Sequence, residues 1–169
     1  MEKLFSPWRS KYISSFSGKE TEDTCVLCDA HDSSEDETNL VVFRGREAFV
    51  LMNKFPYNSG HLMVIPVRHT ADFGSLTQSE TIEMMSLLAA SERALRELSH
   101  PQGFNIGMNV GRTSGAGIDA HLHWHIVPRW NGDTNFMPII AEVKVVSEDM
   151  AAQWKRLREI FPRMVLLHP

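Results

Sequence analysis

In the run His121-Leu122-His123-Trp124-His125-Ile126-Val127, histidines alternate with apolar residues. Successive side chains on a strand point to opposite faces, so a period of two puts the three imidazoles on one side. Leu122, Trp124 and Ile126 then point to the other side. The pattern predicts a strand with one apolar core face and one chemical face. Three adjacent imidazoles can bind a metal, relay protons or supply a nucleophile. A satisfied structural cluster is the bland alternative.

The rest of the chain supplies the frame for that strand. Apolar runs at 40–44 and 48–52, split by Gly45, read as a hairpin. Residues 53–60 carry Pro56, Asn58 and Gly60 and read as a turn, and 61–66 is another strand stopped by Pro66. Thr77 followed by Glu80 makes a capping box, and Ile82, Met85, Leu88, Leu95 and Leu98 follow at helical spacing up to His100-Pro101. A helix of roughly 20 residues is expected there. Phe104, Ile106, Met108 and Val110 alternate with Asn105, Gly107 and Asn109, which predicts a strand with one buried face. Residues 111–117 form a Gly-rich loop.

Residues 7–16, with Trp8, Tyr12 and Phe16 as one aromatic stripe, read as a short N-terminal helix. Residues 17–24 read as a loop, and the acidic, Ser-rich stretch 29–39 as another. Met150, Trp154, Leu157 and Phe161 are in helical register and predict a C-terminal helix over 150–161. Hairpin-like strands around one long helix imply an α+β fold with a mainly antiparallel sheet. The connections near 40–66 are too short for parallel crossovers. With 169 residues the chain suits one domain.

Lys plus Arg number 17 against 21 Asp plus Glu, a net charge of −4 with no basic stripe. That argues against a protein built to grip nucleic-acid backbones. No apolar run approaches a membrane span, and the first residues lack the apolar stretch of a signal peptide. A cytoplasmic protein is expected, in which Cys25 and Cys28 form no stable disulfide. The C-x2-C pair instead suggests zinc or redox chemistry, and no βαβ pattern lies nearby to favour redox.

The histidine run resembles the His-φ-His-φ-His-φ-φ motif of the histidine-triad (HIT) family, nucleotide hydrolases and transferases. Asn53, Gly60-His61, Asn109-Val110-Gly111 and Pro128-Arg129 also fall where that family has its nucleotide-site residues. The resemblance covers about 25–138, leaving 1–24 as an N-terminal segment and 139–169 as a C-terminal extension. It implies a sheet of about five strands with one long central helix. Residues 130–137 are similar to the bacterial branch associated with diadenosine tetraphosphate phosphorylase activity.

The resemblance further implies a two-step reaction on dinucleoside polyphosphates. His123 would attack the α-phosphorus to form a nucleotidyl-histidine, and water or phosphate would release the nucleotide. Phosphorolysis is favoured over hydrolysis. Nucleoside phosphoramidates, other conjugates, or nucleotide binding with little turnover are the alternatives, as is a zinc hydrolase built on the triad. His125 is assigned to phosphate binding and proton transfer, and His61 to orientation. Asn53 is assigned to the ribose. Asn109 and Gly115-Ala116-Gly117 are assigned to phosphate, because glycines let backbone amides approach an anion closely. Alone, such a short Gly-rich loop is just a turn. Trp130 serves either base stacking or packing. Ile118-Asp119-Ala120 departs from the polar residues that many members carry before the triad.

The zinc-bearing branch of the superfamily matches Cys25, Cys28, His69 and His121, so the resemblance implies structural zinc and no organic cofactor. His31 is the competing fourth ligand. An adenine nucleotide is the implied partner, and a homodimer or higher homo-oligomer the implied assembly.

Overall fold

The computed structural model describes residues 25–133 and 149–166. The aromatic stripe at 7–16 and the loop at 17–24 lie outside the described residues. The centre is a five-stranded antiparallel sheet in the order β1-β2-β3-β5-β4. Its strands are β1 (Val41–Arg44), β2 (Ala48–Met52), β3 (Leu62–Pro66), β4 (Gly103–Met108) and β5 (Trp124–Arg129). The sheet, the long helix α3 (Gln78–Ser99) and the helix α4 (Met150–Leu166) make the expected α+β architecture.

One face of the sheet packs on α3 and α4, with Val50, Leu62, Val64, Ile126, Met84, Leu87, Leu95, Leu157 and Phe161 in one buried cluster. Burial of such side chains contributes about 2 kcal/mol each. The other face is covered at its β1–β3 end by helix α1 (Val26–Asp32), where Leu27, Ala30, Phe49, Leu51, Met63, Ile65 and Ile118 cluster. His125, Val127 and Arg129 of β5 point to the rest of that face, which carries the histidine cluster at one end.

Helix α3 begins with the expected capping box. The Thr77 hydroxyl accepts from the Glu80 N–H, and the Glu80 carboxylate accepts from the Thr77 N–H. Glu80 also receives two bonds from Arg68, at 2.8 and 2.9 Å, which hold its carboxyl well below the usual range, at about 2. The buried stripe differs from the one that large apolar residues suggest. Ile82 and Met85 are exposed, while Ala90, Ser91 and Ala94 are fully buried. Small side chains let the helix lie close to the sheet, so the buried stripe is partly built of residues that look neutral in the sequence.

Four other expectations need correction. The stretch 29–39 is not a loop: α1 runs through it and a single turn, α2 (Asp36–Asn39), follows. Arg44 explains why, since its guanidinium binds the Asp36 carboxylate and the carbonyls of Ala30, His31 and Ser33. A cation there satisfies the orphan carbonyls at the end of α1. Strand β5 starts at Trp124, so His121 and His123 precede it. Strand β4 does not bury its apolar face fully: Ile106 is 50% exposed because β4 is an edge strand within the chain, and Val110, just beyond it, is 49% exposed. Helix α4 continues past Phe161 through Pro162, where buried Met164 and a hydrogen bond from Arg93 to its carbonyl hold the last turn.

Candidate active site and metal centre

The segment leading into β5 separates the three triad histidines into two environments. His121 is buried and lies against Cys25 and Cys28, its Nδ1 3.4 and 3.5 Å from their sulfurs. Cys28 Sγ is also 3.4 Å from His69 Nδ1. The ligand atoms of Cys25, Cys28, His69 and His121 all lie within 4.8 Å of one another. Two thiols and two imidazoles at this spacing suit a tetrahedral ion, with ligand bonds of about 2.0–2.3 Å. The C-x2-C spacing works because Cys25 is the N-cap of α1 and Cys28 lies one turn into it.

The tautomer of His121 fits that role. Its Nε2 is 2.9 Å from the carbonyl oxygen of Pro66, which can only accept. The proton therefore sits on Nε2 and the lone pair on Nδ1 faces the sulfurs. A backbone carbonyl holding the outer N–H is the usual support of a metal-bound imidazole. Burial first, then neighbouring imidazoles, hold His121 down at about 4, against the pull of the Pro66 carbonyl. Desolvation, then a hydrogen bond that the thiol donates to Cys25, pushes Cys28 up to about 11. A dication would offset that cost outright. His31 is not a ligand of this cluster, since its Nδ1 is 3.0 Å from the Asp32 carboxylate and its ring packs on Phe49.

His123 offers the opposite nitrogen. Its Nδ1 is 2.8 Å from the carbonyl oxygen of His121, so Nδ1 carries the proton and Nε2 keeps the lone pair. Burial lowers its pKa, against that hydrogen bond, and keeps the ring neutral. The rings of His123 and His125 meet edge to face at 4.8 Å.

His125 and His61 form a second, directed pair. The Tyr57 N–H donates to His61 Nδ1 at 3.0 Å, and Asn53 Nδ2 lies 3.3 Å from the same nitrogen. The neutral His61 ring therefore holds its proton on Nε2 and donates it to His125 Nδ1 at 2.9 Å. Neutral His125 is left with its N–H on Nε2. Tyr57 stacks on His61 with centroids 4.8 Å apart. Gly60 lets the turn before His61 pack against α3: its φ is +77°, and a Cβ there would come within 3.0 Å of Leu95.

Asn53 sits beside this pair, its Oδ1 accepting from the Phe55 N–H at 2.9 Å. It also borders a cavity of about 210 Å³ walled by Leu27, Leu51, Met63 and Ile118. Strand β4 ends with Met108 opposite Trp124, and Asn109 follows it at the end of the sheet where His123 precedes β5. Gly115, with φ of +93°, ends a 3-10 turn at Arg112–Ser114, and Ala116 and Gly117 lead from it towards the triad. Trp130 is not brought to the histidines within the chain. Its indole N–H donates to the Ser99 carbonyl at the opposite end of β5, roughly 20 Å from His123.

Tyr57, the Pro66 carbonyl and the apolar cavity wall escape the sequence reading. Tyr57 looked like one more residue of a turn. A backbone carbonyl leaves no mark in composition.

Comparison with known proteins agrees with this geometry. The HIT domain family matches residues 34–132. The chain is 35% identical to a Mycobacterium tuberculosis protein named AP-4-A phosphorylase, over 92% of this chain and 86% of that one. It is 33% identical to an uncharacterized HIT-like protein of Mycoplasma genitalium, over 70% and 82% of the two chains. Its fold is shared with a Zn-bound histidine triad family protein from Mycobacterium smegmatis, at a TM-score of 0.67 and 24% identity, over 88% and 100% of the chains. The Plasmodium falciparum diadenosine triphosphate hydrolase superposes with a TM-score of 0.58 at 19% identity, over 73% and 77%. With its matched segment covering the sheet, the long helix and every residue of the triad, the chain belongs to the HIT family.

Proposed function

We propose that the protein cleaves dinucleoside polyphosphates through a nucleotidyl-histidine, with phosphorolysis of diadenosine tetraphosphate as its favoured reaction. The observation that carries this is the pairing of two neutral imidazoles, one offering a lone pair and the other an N–H, with rings 4.8 Å apart. Nε2 of His123 attacks the α-phosphorus. A phosphorus–nitrogen bond forms and the bond to the bridging oxygen breaks, releasing ATP. A polyphosphate departs as a stable anion, so a hydrogen bond from His125 Nε2–H to the phosphoryl oxygens suffices. The positive charge that develops on the His123 ring is met by the His121 carbonyl at Nδ1. Inorganic phosphate then attacks the phosphorus, giving ADP and freeing His123, whereas water would give AMP.

Asn109 and the amides of Gly115, Ala116 and Gly117 bind the phosphoryl oxygens in this scheme. The cavity beside Asn53 takes the retained nucleoside, base against Leu51, Met63 and Ile118, ribose towards Asn53. The Mycobacterium tuberculosis relative named AP-4-A phosphorylase supports the choice of substrate. Cys25, Cys28, His69 and His121 hold a structural zinc, which supplies folding free energy and no step at phosphorus. No described helix is long and apolar enough to cross a membrane, and we place the protein in the cytoplasm. The exposed edge of β4, with Ile106 outward, supports a homodimer joined there.

Incubation of diadenosine tetraphosphate with and without phosphate tests the reaction. ADP plus ATP is the expected product pair with phosphate. AMP plus ATP in both samples would make it a hydrolase, and unchanged turnover by His123→Ala would remove His123 as nucleophile.

A further inference from the structure

A second cavity, of about 310 Å³, lies on the histidine face of the sheet, lined by Tyr57, Asn58, Asn105, Val127, Arg129 and Asp133. The reaction scheme proposed above gives it no role. Its place follows from register. Val127 and Arg129 follow His125 at intervals of two on β5, so all three point to one face. Across the ladder, Gly107, Asn105 and Gly103 stand opposite His125, Val127 and Arg129. A Cβ built on Gly107 or Gly103 would meet nothing within 4 Å, so this side of β4 raises no wall between His125 and the cavity. Tyr57, whose ring centroid is 5.6 Å from that of His125, forms the opposite side.

The lining decides the kind of occupant. Arg129 is held by Asp133, at 2.5 and 2.8 Å, and by Asn105 at 2.7 Å. Asn58 Nδ2 donates to the same carboxylate at 3.0 Å. The cation and the carboxylate cancel, so the cavity has little pull on a polyphosphate chain. It offers an aromatic wall, a Val127 floor, and fixed amide and guanidinium donors beside acceptors. Those features suit an uncharged ring system with hydroxyls.

We propose that this cavity binds the second nucleoside of a dinucleoside polyphosphate, the one that leaves with the departing phosphates. This rests on the reaction proposed above: with the α-phosphorus at His123, the remaining phosphates run past His125 over Gly107, and the distal nucleoside reaches Tyr57 and Asn105. The two nucleosides then occupy cavities on either side of the His61–His125 pair.

The test compares diadenosine tetraphosphate with adenosine 5′-tetraphosphate, which keeps the phosphate chain and lacks the second nucleoside. The wild type is expected to prefer the dinucleotide at least tenfold in kcat/KM. Asn105→Trp fills the cavity from the edge strand and is expected to erase that preference, leaving the mononucleotide within twofold. Equal use of the two substrates by the wild type, or equal loss on both in the variant, overturns the proposal while leaving the reaction itself intact. A binding measurement separates the two claims without turnover. Adenosine titrated into AMP-saturated protein is expected to shift the Val127 methyl and Asn105 amide NMR signals of the wild type, and to leave the Val127 methyl signals of Asn105→Trp unmoved. Unmoved signals at both positions would equally overturn it.

Discussion

His121 and His123 stand two residues apart, and burial holds both rings neutral. They differ in which nitrogen they present. The Pro66 carbonyl takes the Nε2 proton of His121 and turns its Nδ1 to the two thiols. The carbonyl of His121 takes the Nδ1 proton of His123 and leaves Nε2 with the lone pair. One residue type, in one continuous segment, thus presents Nδ1 to the thiol pair and, two residues on, keeps its lone pair on Nε2. Backbone acceptors, not the side chains, make the distinction.

The sharpest way to break this contrast is to remove each ring. His123→Ala is expected to lower turnover of diadenosine tetraphosphate at least about a thousand-fold, with the bound metal retained. Product formation under single-turnover conditions reads the first, and elemental analysis the second. Cys28→Ser works on the other half. It is expected to lose stoichiometric zinc and at least about 3 kcal/mol of stability, since metal bound only by the folded chain is folding free energy. A variant that keeps its zinc and its stability refutes the ligand set.

Glu80 touches neither cluster and sharpens the contrast as a control. Its carboxyl is held at about 2 in the folded chain, below the ordinary 4.5, chiefly by Arg68. A depressed carboxylate stabilises fully above its unfolded pKa and ceases to as the pH falls through the folded one. Glu80→Gln is therefore expected to cost about 2 kcal/mol at pH 7, discounted for the half-exposed Arg68, with the gap closing between about pH 4.5 and 2. Denaturant melts of both proteins across that range read it, and zinc content should not change. The smallest effect is expected at Asn53. Asn53→Ala removes one of the two donors to His61 Nδ1 and is expected to cost about 1 kcal/mol of transition-state stabilisation, several-fold in kcat/KM. No change would confine Asn53 to its turn.

Much of this was legible in the chain, because strong local signals and tertiary structure agree at particular residues. The capping box at Thr77 and Glu80, the hairpin around Gly45 and the Cys25–Cys28 pair were each carried by neighbours in sequence. The HIT resemblance then joined His69 and His121 to the cysteines across 41 and 93 residues. What local patterns missed depends on distant partners. Residues 29–39 look like an acidic loop until Arg44 is seen to gather their carbonyls. Ile82 looks like core until Ala90 and Ala94 prove to be the contact. The period of two found the three imidazoles, but not the carbonyls that set their tautomers.

Those tautomers are best read directly, by nitrogen NMR on zinc-loaded protein labelled at its histidine rings. The expected spectrum has the proton of His121 on Nε2 and that of His123 on Nδ1, with Nε2 of His123 bare. A proton on Nε2 of His123 in the substrate-free protein would leave no lone pair for phosphorus and would contradict the account.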